Sequence, residues 1–188
     1  MRKVLLIWTA LFFLMVPLAP AADPAALMRE ASSAYIDGDY LRSLEKIQEA
    51  LEVTWNLAPL SVRHVTFVSD PPEAYGLYEP RESDEFDSVE PVQLYCEPVG
   101  FTVKHEGDWY LAALSADFSL ADEKGAILGG QPGFYQWQGK SRNFNSEVMM
   151  FFTINLKGLA AGRYKLLVTL IDQNSDKKVT FEKAVTIK

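Results

Sequence analysis

The sequence is poor in the side chains that staple, ligate or attack. Cys96 is its one cysteine in 188 residues, so no disulfide can close within the chain and the core must hold by burial. Its two histidines, His64 and His105, fall on different predicted strands. Neither has a neighbour at metal-ligand spacing, and a zinc site needs three or four clustered ligands. There is no strand-turn-helix nucleophile motif of the Gly-x-Ser-x-Gly kind. Bases are outnumbered, 18 to 25, for a formal net charge of -7. An acidic surface repels nucleic acid and anionic lipid, so neither is expected as a partner. Nothing in the pattern calls for a cofactor or a metal, and no catalytic residue is assigned.

The composition supports a packed protein. Hydrophobic residues make up 48% of the chain and aromatics 12%, enough for a core of ordinary size. The length allows one domain with a small appendage.

The N-terminus reads as a secretory signal. Arg2 and Lys3 precede residues 4–16, which are apolar apart from Thr9, and Pro17-Leu18-Ala19-Pro20-Ala21 ends in small residues at signal-peptidase spacing. Residues 1–21 are therefore expected to be removed after Ala21 or Ala22, and the mature protein to be periplasmic or secreted. The apolar run is shorter than the about 20 residues a bilayer span needs. No later run is long and apolar enough, so no membrane span is expected after cleavage.

Residues 24–57 carry a helical pattern. Leu27, Ala31, Ala34 and Tyr35 recur at three-to-four spacing, and Gly38-Asp39 breaks the run. A second helix then places Leu41, Leu44, Ile47, Leu51 and Trp55 on one face, with Arg42, Glu45, Lys46, Glu49 and Glu52 opposite. Ala34-Tyr35-Ile36-Asp37-Gly38-Asp39-Tyr40, with Ser43-Leu44, Ala50-Leu51 and Val53, resembles the turn and second helix of a tetratricopeptide repeat. It departs from that repeat at Ser43, where alanine is usual, and in its late proline, Pro59. Such repeats stack in groups of about three or more to bury their faces. A single copy is expected to pack on the protein's own sheet or on a partner.

Residues 60–188 carry strand patterns. Val92, Leu94 and Cys96 alternate with Gln93, Tyr95 and Glu97, and alternation recurs around Tyr110–Phe118, Val148–Leu156, Tyr164–Leu170 and Val179–Ile187. The spacing predicts a mainly β protein with a small α part: an N-terminal helical hairpin and an antiparallel β-sandwich of about seven or eight strands. Residues 70–91 interrupt it with four prolines and eight carboxylates against one base, Arg81. They are expected to form a solvated acidic loop. Leu159-Ala160-Ala161-Gly162-Arg163-Tyr164 resembles the tyrosine corner of immunoglobulin-like sandwiches, which implies that the sandwich is immunoglobulin-like and that Tyr164 has a structural role. Gly76-Leu77-Tyr78-Glu79-Pro80-Arg81, with Glu90-Pro91-Val92 and Leu94-Tyr95-Cys96-Glu97-Pro98, looks like a group of exported bacterial proteins of uncharacterised role; the likeness implies a sandwich and no activity.

Candidate chemistry is sparse. Cys96 runs in phase with Val92 and Leu94, so a buried structural thiol is expected. Asp84, Glu85, Asp87 and Glu90 are hard oxygen ligands without the glycine turn of a calcium loop. The segment around Phe134, Tyr135 and Trp137 mixes aromatics with amides and glycines, and Trp109 is able to join it. Such a loop can stack on a sugar or anchor a protein contact; covering one end of the sandwich is the plainer role. The reading is an exported, non-enzymatic binding or adaptor protein whose partner is another envelope protein. The alternatives are a small-ligand binder, with a saccharide as one example, and a protease or hydrolase inhibitor.

Overall fold

The computed structural model describes residues 22–188; the expected signal segment and its cleavage point after Ala21 lie outside them. Two helices come first. Helix α1 (Pro24–Ile36) starts where the Asp23 side chain accepts from the Ala25 amide, with proline in its first turn. Helix α2 (Tyr40–Leu57) starts likewise at Asp39, whose carboxylate accepts from the Arg42 amide at 3.2 Å. Gly38 carries the positive φ, +80°, that lets the chain reverse between them. The helices meet through small residues: Ala31, Ala34, Ser43 and Ala50 are buried, and the Ser43 hydroxyl donates to the Ala31 carbonyl at 2.9 Å. The alanine usual in a tetratricopeptide repeat has no such donor.

Nine strands follow: β1 (Ser61–Phe67), β2 (Glu85–Phe86), β3 (Val92–Val99), β4 (Lys104–Glu106), β5 (Trp109–Asp122), β6 (Ile127–Ser141), β7 (Met150–Ile154), β8 (Gly162–Asp172) and β9 (Lys178–Ile187). The described residues are mainly β, preceded by these two helices. The count exceeds the expected seven or eight because β2 and β4 are too short for periodicity to reveal.

One sheet has the order β1-β3-β7, and the other runs β2-β9-β8-β5-β4 with β6 also on β5. Strand β5 pairs with β4 through residues 109–111 and with β8 through residues 114–122, while β6 pairs along residues 110–121. Strands β4 and β8 therefore share one flank of β5, and β6 takes the other. The two sheets close on one core, in which Leu94, Cys96 and Phe152 meet Leu114, Leu166 and Val168. Strand β3 is buried on both faces, Tyr95 and Glu97 included, which departs from a strand with one wet face.

The acidic segment also departs from expectation. Phe86 is 1% exposed and packs edge-on against Phe67 at 5.1 Å. Strand β2 runs parallel to β9. Arg81 supports this excursion by reaching the Glu90 carboxylate and, at 2.7 Å, the Glu85 carbonyl. A charge-rich stretch is thus pinned to the core through Phe86 instead of being solvated throughout.

The Tyr164 hydroxyl donates to the Ala160 carbonyl at 2.7 Å, tying the loop before β8 to the strand. The hairpin joins the sheets through the C-terminal end of α2. There Trp55 meets Phe101 and Phe144 edge-on, and Asn56 accepts from the Val103 amide at 2.8 Å and from Lys177 at 2.7 Å. Gly100, at φ +76°, lies beneath this joint, and a Cβ there would run into the Pro59 carbonyl. Gly100→Ala is expected to destabilise the fold by roughly 1–3 kcal/mol, through the left-handed backbone and the clash. Urea unfolding followed by tryptophan fluorescence reads the shift, and an unchanged midpoint would show that the joint yields without cost.

Candidate functional site

The aromatic segment is not a loop. Phe134, Tyr135 and Trp137 lie in strand β6 and are half-buried. Phe134 packs on Phe118 and Phe152, Tyr135 on Phe152, and Trp137 on Phe101. Burial raises the Tyr135 hydroxyl above the ordinary phenol value, with Cys96 beside it adding to the shift. Strand period and sandwich packing have drawn these rings inward. Trp109 stands apart in β5, its ring covered by the Arg142 guanidinium at 3.8 Å and the Lys140 ammonium at 4.2 Å.

A cleft opens between Trp137, Tyr110, Val103, Asn143 and Asn145. Gly139 shapes it, because a Cβ there would strike the Trp137 indole. Its volume is about 120 Å³, well below the about 300–1,000 Å³ of ordinary small-molecule sites.

Sequence reasoning missed a buried polar cluster beside β1. Tyr95 is fully buried; its hydroxyl donates to Glu97 at 2.7 Å and accepts from the Gly76 amide at 2.9 Å. Tyr78 stacks on Tyr95 at 4.1 Å. Burial, then the Glu97 carboxylate, raises the Tyr95 hydroxyl well above the usual phenol range, and the same two causes in the same order raise Tyr75. His64 occupies the bulge where β1 slips register against β3, at φ +50°, with Nε2 3.8 Å from Glu97 Oε2. The cluster holds residues 74–78 of the acidic segment down on the sheet. The only signal in the sequence was the spacing of Tyr95 and Glu97, two apart on a strand and so on one face.

His105 is exposed and rests edge-on against Tyr110 at 4.6 Å. The two histidines sit on strands of different sheets. No group of three or more His, Cys, Asp or Glu able to hold a metal occurs among the described residues. Nor is any helix among them long and apolar enough to cross a membrane.

The feature that stands out is the helical hairpin. The α2 side chains Tyr40, Leu41, Leu44, Ile47 and Leu51 are all exposed, Leu44 by 55% and Ile47 by 43%. Tyr35 of α1 joins them through its contact with Tyr40, ring centroids 5.5 Å apart. Of the two expected coverings, the protein's own sheet or a partner, the sheet meets the hairpin at Trp55 near the helix end and leaves these side chains bare. Between α2 and the β6–β7 connection lies an open groove of about 500 Å³, lined by Leu51, Tyr110 and Phe144 with Glu45, Glu49 and Glu52 along the α2 side.

No protein-family model matches this chain, and no curated protein matches it. Among solved structures the chain is similar to the Pseudomonas fluorescens alkylpurine DNA glycosylase AlkC bound to DNA containing an abasic site analog. That match has a TM-score of 0.34 and 11% identity, covering 88% of this chain and 42% of the glycosylase. It is also similar to the superoxide reductase (neelaredoxin) of Ignicoccus hospitalis, with TM-score 0.31 and 15% identity over 68% of this chain and 82% of that one. A third likeness is to Spo0M, the sporulation control protein of Bacillus subtilis, at TM-score 0.30 and 12% identity over 70% of this chain and 50% of the other. The chain spans less than half of the glycosylase. Likenesses at this level assign neither a family nor an activity.

Two predictions follow from the buried polar and thiol groups. Tyr95→Phe leaves the Gly76 amide and one Glu97 oxygen without their partner, which costs about 1–3 kcal/mol for buried groups; hydrogen exchange over residues 74–78 is expected to accelerate, and unchanged exchange would mean that other contacts hold the segment. Burial pushes the Cys96 thiol up to about 12, with the Glu97 charge adding to the shift. Native protein at pH 8 is therefore expected to resist iodoacetamide while urea-unfolded protein reacts fully; rapid native labelling would contradict the buried-thiol assignment.

Proposed function

We propose that this is an exported, non-enzymatic recognition protein of the cell envelope, in which the sandwich is a rigid mount and the helical hairpin is the contact surface. The observation that carries the reading is the bare apolar face of α2. A stretch from Tyr40 to Leu51 shows five large apolar side chains to water, on a hairpin whose own pairing and attachment to the core do not use them. Contiguous exposed apolar surface of this kind marks a contact site in a protein that is otherwise well packed. The likeness of the hairpin to a tetratricopeptide unit, which buries its faces against neighbours, points the same way. Export rests on residues 1–21 and fits the absence of any need for a reduced environment, since the lone thiol is buried.

The aromatic segment supports a protein contact less well than the hairpin does, because its rings are spent on the core. The small cleft beside Trp137 likewise favours protein recognition over a saccharide.

A photo-crosslinking residue placed at Leu44, in the mature protein within its native envelope, is expected to give one discrete adduct. The same residue at exposed Lys157 is expected to give none. Leu44→Ser with Ile47→Ser should abolish capture at a crosslinker placed on Leu41. Because both residues are exposed, it should shift folding stability by no more than about 0.5 kcal/mol each. A protein that stays monomeric with no adduct at Leu44 would overturn the reading.

A further inference from the structure

The hairpin face is chemically one-sided, and its charge selects among possible occupants. Residues 23–57 carry seven carboxylates against three bases, Arg29, Arg42 and Lys46. Lys46 is engaged with Glu49 at 2.8 Å and also reaches Glu30 at 3.8 Å, and Arg29 lies 3.6 Å from Asp23. Among the described residues, Glu45 and Glu52 have no basic partner. Glu45, Glu49 and Glu52 recur at four- and three-residue spacing, which sets them in one row along α2. The row lines the groove whose opposite wall is Tyr110, Phe144 and Arg142, the last paired with Asp108 at 2.9 Å, and Leu51 lies in the same groove. Glu52 accepts from the Tyr110 hydroxyl across it at 3.3 Å, which leaves Glu45 and Glu49 as the open part of the row.

We infer that this face receives an amphipathic helix of a partner protein, one apolar stripe of which lies on Leu44, Ile47 and Leu51 while its basic flank meets Glu45 and Glu49. The inference rests on the recognition reading above and names the partner's chemistry. Helix-in-groove docking reads anchors at three- and four-residue spacing, as these leucines and isoleucine are spaced. From Tyr40 to Leu51 the stripe runs about 17 Å at 1.5 Å per residue, so the partner contributes about three turns. A second copy of this chain is the occupant that charge disfavours: two hairpins brought together would place like charges face to face.

The test uses the mature protein and two model peptides, each long enough for about four turns: an amphipathic helix of leucine and lysine, and the same helix with glutamate for lysine. Binding is read by fluorescence anisotropy at two salt concentrations. The leucine-lysine peptide is expected to bind, more weakly as salt rises, and the leucine-glutamate peptide not to bind. Glu45→Lys with Glu49→Lys is expected to weaken binding about fivefold, as two exposed ion pairs of about 0.5 kcal/mol each imply. Glu79→Lys with Glu82→Lys makes the same change in net charge on the distant acidic segment and is expected to leave binding unchanged. Equal binding of both peptides, no binding of either, or equal weakening by both pairs of substitutions would overturn the inference. So would a dimer in sedimentation equilibrium that Leu44→Ser with Ile47→Ser dissolves, which would assign the face to a second copy. None of these outcomes touches the Leu44 crosslink in the envelope, so the recognition reading stands or falls separately.

Discussion

Everything in this protein rests on apolar side chains interleaved between two sheets, because nothing covalent joins them. Leu94, Cys96, Phe152 and Ile154 from one sheet meet Leu114, Leu166, Val168 and Leu170 from the other, each 2% exposed or less. Burying side chains of this size is worth about 1.5–3 kcal/mol apiece against full exposure. Carboxylates and a phenol caught in the same interior find their partners within it. That is why Tyr95 spends its hydroxyl on Glu97 and on the Gly76 amide, and why the buried Asp172 accepts from the Thr102 amide at 2.7 Å and the Ser175 hydroxyl at 2.6 Å. The acidic segment is held by the same economy of contacts: Tyr78 and the Gly76 amide on Tyr95, one phenylalanine in the core, and one guanidinium across its base.

The hairpin meets the core at one end only, through Trp55, and this decides what the rest of it is free to do. Its helices seal against each other through alanines and a serine, small residues that permit close approach but bury little area. Trp55 and Asn56 then fix it to the sandwich at one end. The larger side chains of α2, which in a repeat array would be covered by the next unit, have no role in folding this chain. Their exposure lowers solubility, and a face that only costs solubility is explained most simply by a partner that covers it.

The architecture was legible wherever one face of an element is buried and the other wet. Period two marked β5, β7, β8 and β9, and the three-to-four spacing around Gly38 marked both helices. Legibility failed where that condition fails. Strand β3 is buried on both faces, so its alternation hid that Tyr95 and Glu97 are interior. Strand β2 is two residues long inside a run of carboxylates, so charge drowned the single phenylalanine that matters. The rings of β6 sit among glycines, a proline and amides, a composition that suits a loop as well as a strand; the long pairing with β5 supplies a partner that no local pattern announces. The left-handed backbone at His64 belongs to a bulge, which exists only once two strands are laid side by side.

The same reasoning separates what the glutamates of α2 do from what its leucines do. Apolar surface alone is indiscriminate: Leu44, Ile47 and Leu51 would accept any helix with a matching stripe, including that of another copy. The acidic row beside them removes that degeneracy. In the proposed docking it would repel an identical hairpin and favour a flank of opposite sign, and because Glu45 and Glu49 are exposed, each would add little affinity while shaping encounter and choice. On that proposal affinity and selectivity would sit on adjacent strips of one helix, so a substitution that abolishes one need not disturb the other.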